Sequence, residues 1–271
     1  MQNTQSRRIQ HPQYGIDAPG LLKFFFVSGV ISATLLIAAF SSPFLSGILK
    51  QIACLLLAVG AFYLLGMGCF MFFYSKIQKL KDRENLLNLV EWSGDELVLD
   101  IGCGRGLMLI GAAKRLKAGR AIGIDLWRQE DQANNSLDAT LANAKIEDVL
   151  ERVEVKTADM RQLPFPENYF DVITSNWTVH NLEAQVDRQK ALDEMIRVLK
   201  PGGNIILGDI TNQSEYISYF RERGMVNVRL HNNPIQDAIL KTITFGSFAP
   251  SVALASKPNN THEPNGSEVV G

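Results

Sequence analysis

Residues 98–106 combine an acid with three closely spaced glycines, in the run VLDIGCGRG. The glycines let the backbone pass close beneath a ligand, and a helix that starts there offers free N–H groups to an anionic end of that ligand. A dinucleotide site uses a similar turn, but Leu107 stands where the third glycine of the GxGxxG fingerprint belongs. Asp100 would repel a pyrophosphate and suits an ammonium group instead. The run therefore predicts a ligand that carries an ammonium group, with a purely structural turn as the alternative.

Two further acids have the spacing to bind parts of a nucleoside. Asp125 ends an apolar run 21 residues beyond the second glycine, where a carboxylate accepts hydrogen bonds from both hydroxyls of a ribose. Leu126 and Trp127 come next and could sandwich a flat base, or Trp127 could pack in the core. Asp159 and Met160 pair a carboxylate suited to an exocyclic amine with a thioether that packs on a ring. Solvated acids at strand ends are the plainer interpretation.

Short β-branched apolar runs alternate with longer helical segments along the second part of the chain. This alternation is typical of a parallel, doubly wound α/β sheet, in which ligands lie at the carboxyl ends of the strands. The predicted strands are 96–101, 120–125, 153–157, 171–176 and 204–209, with weaker ones at 225–230 and about 242–255. The predicted helices are 106–117, 132–144, 186–199 and 214–223. The run KPGG at 200–203 is expected to end the predicted helix 186–199 and to turn the chain into the fifth strand.

The net charge of −1 is an average over two unlike parts. Residues 1–81 hold seven Lys or Arg side chains and one acid, whereas the remainder holds 20 bases and 27 acids. A body with an excess of acids is unsuited to nucleic acid, whose phosphates attract Lys and Arg. Cys54, Cys69 and Cys103 have no CxxC spacing and no neighbouring pair of His residues, so neither a metal site nor a disulfide framework is expected.

Two stretches without a charged residue, 24–49 and 51–75, are each long enough to cross a bilayer as a helix. We predict an N-terminal cytoplasmic segment at 1–20 and a hairpin at 21–75, with membrane spans at about 21–40 and 52–74. A cleaved signal peptide is the alternative for the first span. Basic residues flank the outer ends of the hairpin, so the positive-inside rule predicts an integral membrane protein whose acidic body is cytoplasmic.

Four motifs follow one another in the order that class I S-adenosylmethionine-dependent methyltransferases show. They are VLDIGCGRG at 98–106, GID at 123–125, ADMRQLPFPENYFDVI at 158–173 and RVLKPGGNIILGDI at 197–210. The chain resembles most the branch that contains the ubiquinone and menaquinone C-methyltransferases and many small-molecule and lipid methyltransferases. The resemblance implies a Rossmann-like sheet of seven strands with helices on both faces, in a methyltransferase domain at 76–256. Residues 257–271, with their Pro, Asn, Gly and Ser, are predicted to be a disordered tail.

The same resemblance implies roles for individual residues. Those that would hold S-adenosylmethionine are Asp100, Gly102, Cys103 and Gly104 at its methionine end, Asp125 and Leu126 at the ribose and base, Asp159 and Met160 at the adenine, and Asn176 beside the sulfonium. The chain is short after the fifth strand, which leaves little room for a cap over the substrate. The substrate wall is therefore expected from an N-terminal helix, from residues 177–182 or from the bilayer.

Methyl transfer from a sulfonium is an in-line displacement, so the protein mainly aligns the reactants and excludes water, and a base is optional. His180 is the candidate base, because it follows Asn176 on the loop expected to face the methyl group and histidine titrates near neutrality. Its alternative role is to close that loop by hydrogen bonding. Trp177 could form a substrate wall or a cation–π surface, or pack in the core. Asp209, which ends the fifth strand, is a second candidate for the substrate side, with a structural role as the alternative.

The leading hypothesis is a membrane-anchored methyltransferase that acts on a lipid, a prenylated quinone or another hydrophobic acceptor delivered from the bilayer. The motifs favour the enzyme, and the adjacent spans favour the acceptor class. One alternative is a nicotinamide-dependent oxidoreductase on a similar sheet, which Asp100 and Leu107 disfavour. The other is a non-catalytic scaffold that binds the cofactor. The acceptor atom, O, N or C, stays open.

Overall fold

The computed structural model describes residues 11–128, 132, 134–244, 246 and 250–259. The chain divides into two compact units. We call Tyr14–Asp82 with Arg128–Asn135 the helical unit, and Met1–Gln13 with Arg83–Trp127 and Ser136–Gly271 the sheet unit.

Two long helices make up most of the helical unit, α1 (Pro19–Ser41) and α2 (Gly47–Phe73). They pack against each other at small residues: a Cβ built on Gly29 of α1 would lie 2.7 Å from the Leu65 side chain of α2. Glycine at this position lets the two backbones approach closely, as small residues do at helix contacts in membranes.

Both helices are long and apolar enough to cross a membrane, on length and composition alone. The predicted spans, 21–40 and 52–74, correspond to these helices, although α2 starts earlier than predicted, at Gly47. A signal sequence near the N-terminus passes the same test of length and composition, so insertion into a membrane is taken up below as a proposal.

Past α2 the chain forms a π-helical turn, Tyr74–Gln78, and then α3 (Lys79–Leu87), which belongs to the helical unit as far as Asp82. Lys79 is only 6% exposed, and its ammonium donates to the Tyr14 and Gly15 carbonyls at 2.8 and 3.0 Å and to the Asp17 carboxylate at 3.1 Å. A buried ammonium needs such a complete set of acceptors. Lys79 is one of the basic residues that follow the second span in the sequence. Its charge is balanced inside the unit by Asp17.

The sheet unit contains seven strands in the order β3-β2-β1-β4-β5-β7-β6, with β7 antiparallel to both neighbours and the other described pairings parallel. The strands are β1 (Leu97–Ile101), β2 (Arg120–Asp125), β3 (Val153–Thr157), β4 (Phe170–Asn176), β5 (Leu199–Asp209), β6 (Val226–His231) and β7 (Ser251–Ser256). The helices are α4 (Leu107–Ala113), α5 (Leu137–Ile146), α6 (Gln185–Val198), α7 (Gln213–Glu222) and α8 (Pro234–Ile243). This confirms the predicted seven-stranded, Rossmann-like sheet.

The order of the strands reverses between β1 and β4, both of which are almost entirely buried. Strands β1, β2, β4 and β5 are adjacent and parallel, so their carboxyl ends meet at one edge of the sheet. Open sheets of this kind bind ligands at that edge, beside the reversal point. The glycine loop, Asp125, Asn176 and Asp209 therefore come to the same edge, as the sequence predicted.

Several element boundaries differ from the predicted ones, among them the end of α4, which lies at Ala113 and not at residue 117. The KPGG run does not precede a strand but lies within β5, where it forms an irregularity between the pairs Phe170↔Leu199 and Val172↔Asn204. Helix α5 begins five residues later than predicted, because Ser136 caps it and accepts the Ala139 amide at 3.2 Å.

The weakly predicted last strand, 242–255, starts too early. Thr242 belongs to α8, and β7 begins only at Ser251. The β-branched run in this part of the chain is thus shared between a helix that the sequence did not reveal and a strand that it did.

The predicted tail falls mostly on residues 260–271, which lie outside the described residues. Lys257, where the tail is predicted to begin, donates to the Ile196 and Leu199 carbonyls, both at 2.8 Å, and to Asn168 at the same distance. The contacts of the sheet unit therefore extend to this residue.

Candidate functional site

The loop between β1 and α4 folds as a tight turn on three glycines. The backbone φ angles of Gly102, Gly104 and Gly106 are +70°, +50° and +86°. Residues other than glycine rarely adopt this left-handed region. The amides of Gly102 and Cys103 both donate to the Ile124 carbonyl of β2, at 2.8 and 3.0 Å. The backbone of the loop is thereby fixed against the neighbouring strand.

Gly102 also makes room for the loop that follows β4. A Cβ built on Gly102 would lie 2.2 Å from the Thr178 side chain, a distance that no real pair of atoms adopts. Glycine at this position therefore allows the two loops that flank the reversal point to touch.

We expect Gly102→Ala to lower the free energy of unfolding by roughly 1–3 kcal/mol from backbone strain alone, and by more because Thr178 must move. The matched control is Gly224→Ala, since Gly224 has a similar φ of +74° but no atom within 4 Å of a built Cβ. Denaturant unfolding of both variants measures the difference. Equal losses of unfolding free energy in the two variants would show that the close approach of Thr178 to residue 102 does not require glycine there.

Asp125 stabilises the turn from the end of β2. One carboxylate oxygen accepts the Gly104 amide at 2.8 Å and the other accepts the Trp127 amide at 2.6 Å. A carboxylate has about four acceptor positions, so holding the turn is compatible with accepting the hydroxyls of a ribose. Trp127 itself has a φ of +61°, and its indole N–H donates to Thr157 at 2.7 Å. A left-handed backbone at so bulky a residue is unusual and is often found at functional sites.

Asp100 lies beneath the loop rather than on its surface. It is 1% exposed, and its two oxygens accept the Thr174 hydroxyl at 2.8 Å and the Leu109 amide at 2.9 Å. The carboxylate therefore holds the first turn of α4 against β4. Its predicted contact with an ammonium group stays a prediction, and the described contacts give it a supporting place below the loop.

Burial raises the pKa of Asp100 to about 7, although the hydrogen bonds from Thr174 and Leu109 lower it and the nearby Asp125 charge raises it. Since an unfolded aspartate titrates near ~3.9, the folded chain binds more protons than the unfolded chain between about pH 4 and 7. The contribution of Asp100 to stability is therefore fully present below about pH 4 and is lost as the pH rises through about 7. The slope is roughly 1.4 kcal/mol per pH unit inside that window.

We expect Asp100→Asn to remove this slope, because the amide is neutral at every pH and still offers one acceptor and one donor. The unfolding midpoint of wild type and variant, measured from pH 4.5 to 7.5, tests the expectation, and Asp95→Asn is the control because Asp95 is exposed. The same dependence on pH in wild type and Asp100→Asn would contradict it.

The side chain of Cys103 points into the protein and not toward the loop surface. A Cβ on Gly123 of β2 would lie 2.8 Å from its sulfur, and the thiol is buried. Burial, with the negative charges of Asp100 and Asp125, raises the pKa of the thiol well above its usual range. The sulfur of Cys103 is therefore not part of the loop surface, and the predicted role of this residue in binding a cofactor stays a prediction.

Two residues of α5 hold the glycine loop from the other side, and the sequence analysis missed both. Thr140, fully buried, donates to the Gly104 carbonyl at 2.6 Å, and Asn143, 2% exposed, donates to the Arg105 carbonyl at 2.9 Å. Their i, i+3 spacing puts them on one face of the helix. Two polar residues at that spacing, in the first helix after β2, are the sequence signal that could have revealed them.

Asp159 follows β3 and is engaged by a neighbouring cation. Arg161 donates to both of its oxygens, at 3.1 and 2.6 Å, and also approaches Asp187 at 3.3 Å. Asp159 is one-third exposed, and the adjacent Met160 packs partly against the core. The predicted contact with an adenine amine would therefore have to share this carboxylate with Arg161.

The loop after β4 carries a histidine whose orientation is fixed by a buried acid. Asp209 is 0% exposed, and one of its oxygens contacts Nδ1 of His180 while the other accepts the His180 amide at 3.0 Å. Tyr216 donates to the same carboxylate at 3.1 Å, and burial first, then the Asp209 charge, raises the pKa of this tyrosine. Asp209 therefore lies behind His180. The sequence suggested Asp209 as a residue of the substrate side, and its burial favours the alternative, structural role.

A buried cation also pins this loop. Arg188 donates to the Leu182 and Glu183 carbonyls, at 2.9 and 2.7 Å, and pairs with Glu215 at 2.6 Å. The carbonyls that end the loop are thereby held by helix α6, so His180 sits on a segment fixed at both ends.

Asn176 and Trp177 join β4 to this loop. The amide oxygen of Asn176 would lie 2.5 Å from a Cβ built on Gly208, which places the Asn176 side chain against β5. Trp177 has a φ of +56° and donates its amide to the Gly208 carbonyl at 2.8 Å. Trp127 and Trp177 thus share the same unusual backbone conformation, each within two residues of the end of a strand at this edge of the sheet. Among the described residues, no group of three or more His, Cys, Asp or Glu side chains could hold a metal ion.

A family model described as a methyltransferase domain matches residues 99–207, from β1 into β5. The chain is also similar to the chloroplastic 2-phytyl-1,4-beta-naphthoquinone methyltransferase of Arabidopsis thaliana, at 30% identity over 51% of this chain and 52% of that protein. It is 32% identical to the demethylmenaquinone methyltransferase of Lactiplantibacillus plantarum, over 46% of this chain and 49% of that protein. The chain thus spans about half the length of these curated relatives.

Among solved structures, the fold is similar to that of an S-adenosylmethionine-dependent methyltransferase from Aquifex aeolicus. The TM-score is 0.50 at 21% identity, over 65% of this chain and 90% of that one. At this identity the likeness concerns the fold, and it agrees with the strand order described above.

Proposed function

We propose that this chain is an S-adenosylmethionine-dependent methyltransferase, which transfers the methyl group of this cofactor to a small hydrophobic acceptor. The observation that carries the proposal is that one edge of the sheet combines the glycine turn held by Asp125 with the His180–Asp209 pair. The first suits a nucleoside with a charged side arm, and the second suits the removal of a proton.

The residues present fit the cofactor. The three left-handed glycines leave the surface of the turn free of side chains, and Asp125 is the acceptor at the end of β2. We propose that the Gly102–Gly104 backbone holds the methionine end, that Asp125 accepts the ribose hydroxyls beside the 43% exposed Leu126, and that Asp159 and Met160 flank the adenine. When bound there, S-adenosylmethionine supplies an electrophilic methyl group on a sulfonium.

We propose His180 as the base that takes a proton from the acceptor. Asp209 holds Nδ1, so the imidazole is oriented with Nε2 at its far side, and the side chain is 22% exposed. A paired carboxylate also stabilises the imidazolium that forms when Nε2 accepts a proton. Asn176 and Trp177, which precede the histidine, are proposed to line the acceptor side of the methyl group.

The acceptor class is proposed from two observations of different kinds. The two relatives described above are named as a 2-phytyl-1,4-beta-naphthoquinone methyltransferase and a demethylmenaquinone methyltransferase. This chain also has two helices long enough to cross a membrane. A prenylated quinone or another lipid-like acceptor would reach the enzyme from the bilayer. We propose further that the helices anchor the protein and that its catalytic domain is cytoplasmic, because basic residues flank the outer ends of the hairpin.

The test uses the full chain purified in detergent. We expect calorimetry to show binding of S-adenosylmethionine and none of NADH, and we expect methyl-labelled cofactor to label a product in the organic extract of membranes. Binding of NADH alone would favour the oxidoreductase alternative. Tight cofactor binding with no labelled product from any membrane extract would favour a scaffold. Label only in the aqueous phase would contradict the acceptor class.

A further inference from the structure

The segment that precedes α1 contributes a backbone contact to the sheet unit. Asn143 of α5 pairs with both backbone groups of Gln13: its Oδ1 accepts the Gln13 amide at 2.8 Å, and its Nδ2 donates to the Gln13 carbonyl at 3.0 Å. A side-chain amide that matches one residue in this way imitates the pairing of a neighbouring strand. The residues of the chain between these partners number well over one hundred, so the contact is a product of the tertiary fold.

The same amide group reaches the glycine loop. Nδ2 of Asn143 also donates to the Arg105 carbonyl at 2.9 Å, and the Arg105 Nε donates to the Gln13 carbonyl at 2.5 Å. Four hydrogen bonds therefore join three chain segments, namely the Gln13 backbone, the glycine loop and α5. All four involve the Gln13 backbone or the side-chain amide of Asn143. Burial lowers the pKa of Arg105, as expected for a cation partly removed from water.

Asn143 is committed to these contacts. It is 2% exposed and makes its three bonds to backbone groups only. A buried amide that lost its partners would cost about 1–3 kcal/mol, so the three bonds form or break together. The position of residue 13 and the position of the glycine loop are consequently linked through one side chain.

We propose that residues 11–13 form a strap on the cofactor loop and that Asn143 is the positioning residue that couples them. The inference rests on the proposed function, because it assigns the glycine loop to S-adenosylmethionine. If the strap favours the loop conformation that binds the cofactor, then the cofactor must favour the strapped state by the same factor. Cofactor affinity would thus depend on a segment that lies more than eighty residues before the first motif of the site.

The bonds to Gln13 involve its backbone, which allows a sharp pair of variants. Gln13→Pro removes the amide that Asn143 accepts, whereas Gln13→Ala removes only an exposed side chain and keeps both backbone bonds. We expect Gln13→Pro and Asn143→Ala to raise the Kd of S-adenosylhomocysteine about tenfold, from the loss of one to three hydrogen bonds, and Gln13→Ala to leave it unchanged. Calorimetry on the full chain in detergent measures the three values.

Hydrogen exchange gives a second measurement that a purely structural contact would not affect. We expect exchange of the Gln13 amide in the wild-type chain to slow when S-adenosylhomocysteine is added, because the ligand stabilises the strapped state. Equal Kd values of S-adenosylhomocysteine for wild type and Gln13→Pro would overturn the proposed strap. A Gln13 exchange rate that is the same with and without the ligand would overturn it too. Failure of the wild-type chain to bind the ligand would overturn the proposed function, and the strap with it.

Discussion

Asp125→Ala is expected to weaken the binding of S-adenosylmethionine at least 100-fold while the chain stays folded. The carboxylate has two duties in the proposed site, since it accepts the Gly104 and Trp127 amides and would accept the ribose hydroxyls. Hydrogen bonds to a charged group are worth about 1.5–3 kcal/mol each, and the loss of two such bonds to a ligand corresponds to a factor of roughly 100 or more. Calorimetry with S-adenosylhomocysteine, which needs no acceptor, measures the effect directly.

The control for this variant is Asp95→Ala. Asp95 is exposed and lies at the opposite, amino end of β1, so its removal changes the net charge equally without touching the proposed site. Asp125→Asn adds a graded step, because the isosteric amide keeps one acceptor and loses the charge. An Asp125→Ala chain that is folded and binds the ligand as tightly as wild type would show that the ribose is held elsewhere.

His180→Ala is expected to reduce the rate of methyl transfer about 10²–10⁴-fold, the range typical of a positioned general base, with little change in cofactor affinity. The reason is geometric: Asp209 is buried behind the imidazole and orients it, and Tyr216 holds the carboxylate in place. The measurement is the rate of label transfer to the product found in the organic extract, together with the Kd of S-adenosylhomocysteine.

Asp209→Asn should give a smaller loss of rate than His180→Ala, because the imidazole remains but its orientation and its stabilisation as a cation are weakened. His231→Ala serves as the control, since His231 is exposed at the end of β6. Full activity of His180→Ala would remove this residue from the mechanism and would leave the alignment of the reactants as the protein's main contribution.

The features that the sequence revealed are those with local signals. β1 and β2 contain short apolar runs, and β2 and β3 have the predicted bounds. The apolar run of β2 lies between Arg120 and Asp125, which are the first and last residues of the strand. The glycine turn was recognisable because three glycines in five residues have few uses other than close backbone approach. Asp125 was recognisable from its spacing in the sequence, because it ends the next strand 21 residues beyond Gly104.

The features that the sequence did not reveal depend on contacts between distant residues. Asp209 and His180 are 29 positions apart, and nothing in either local sequence shows that one lies behind the other. Asn143 looks like an ordinary polar helix residue until the fold brings the Gln13 backbone to it. Helix α8 was not predicted because its three isoleucines and one threonine favour strands locally, while tertiary packing decided otherwise.

The two tryptophans with left-handed backbones give the chain an intrinsic optical signal. The protein has three tryptophans, and Trp127 and Trp177 lie within two residues of the ends of β2 and β4, each half-buried. The third, Trp92, precedes β1 and donates its indole N–H to the Leu87 carbonyl at 2.6 Å, remote in sequence from both loops. Fluorescence of a Trp92→Phe chain would therefore come only from indoles beside the proposed cofactor and acceptor positions, and the order in which the two ligands bind could be followed without any label.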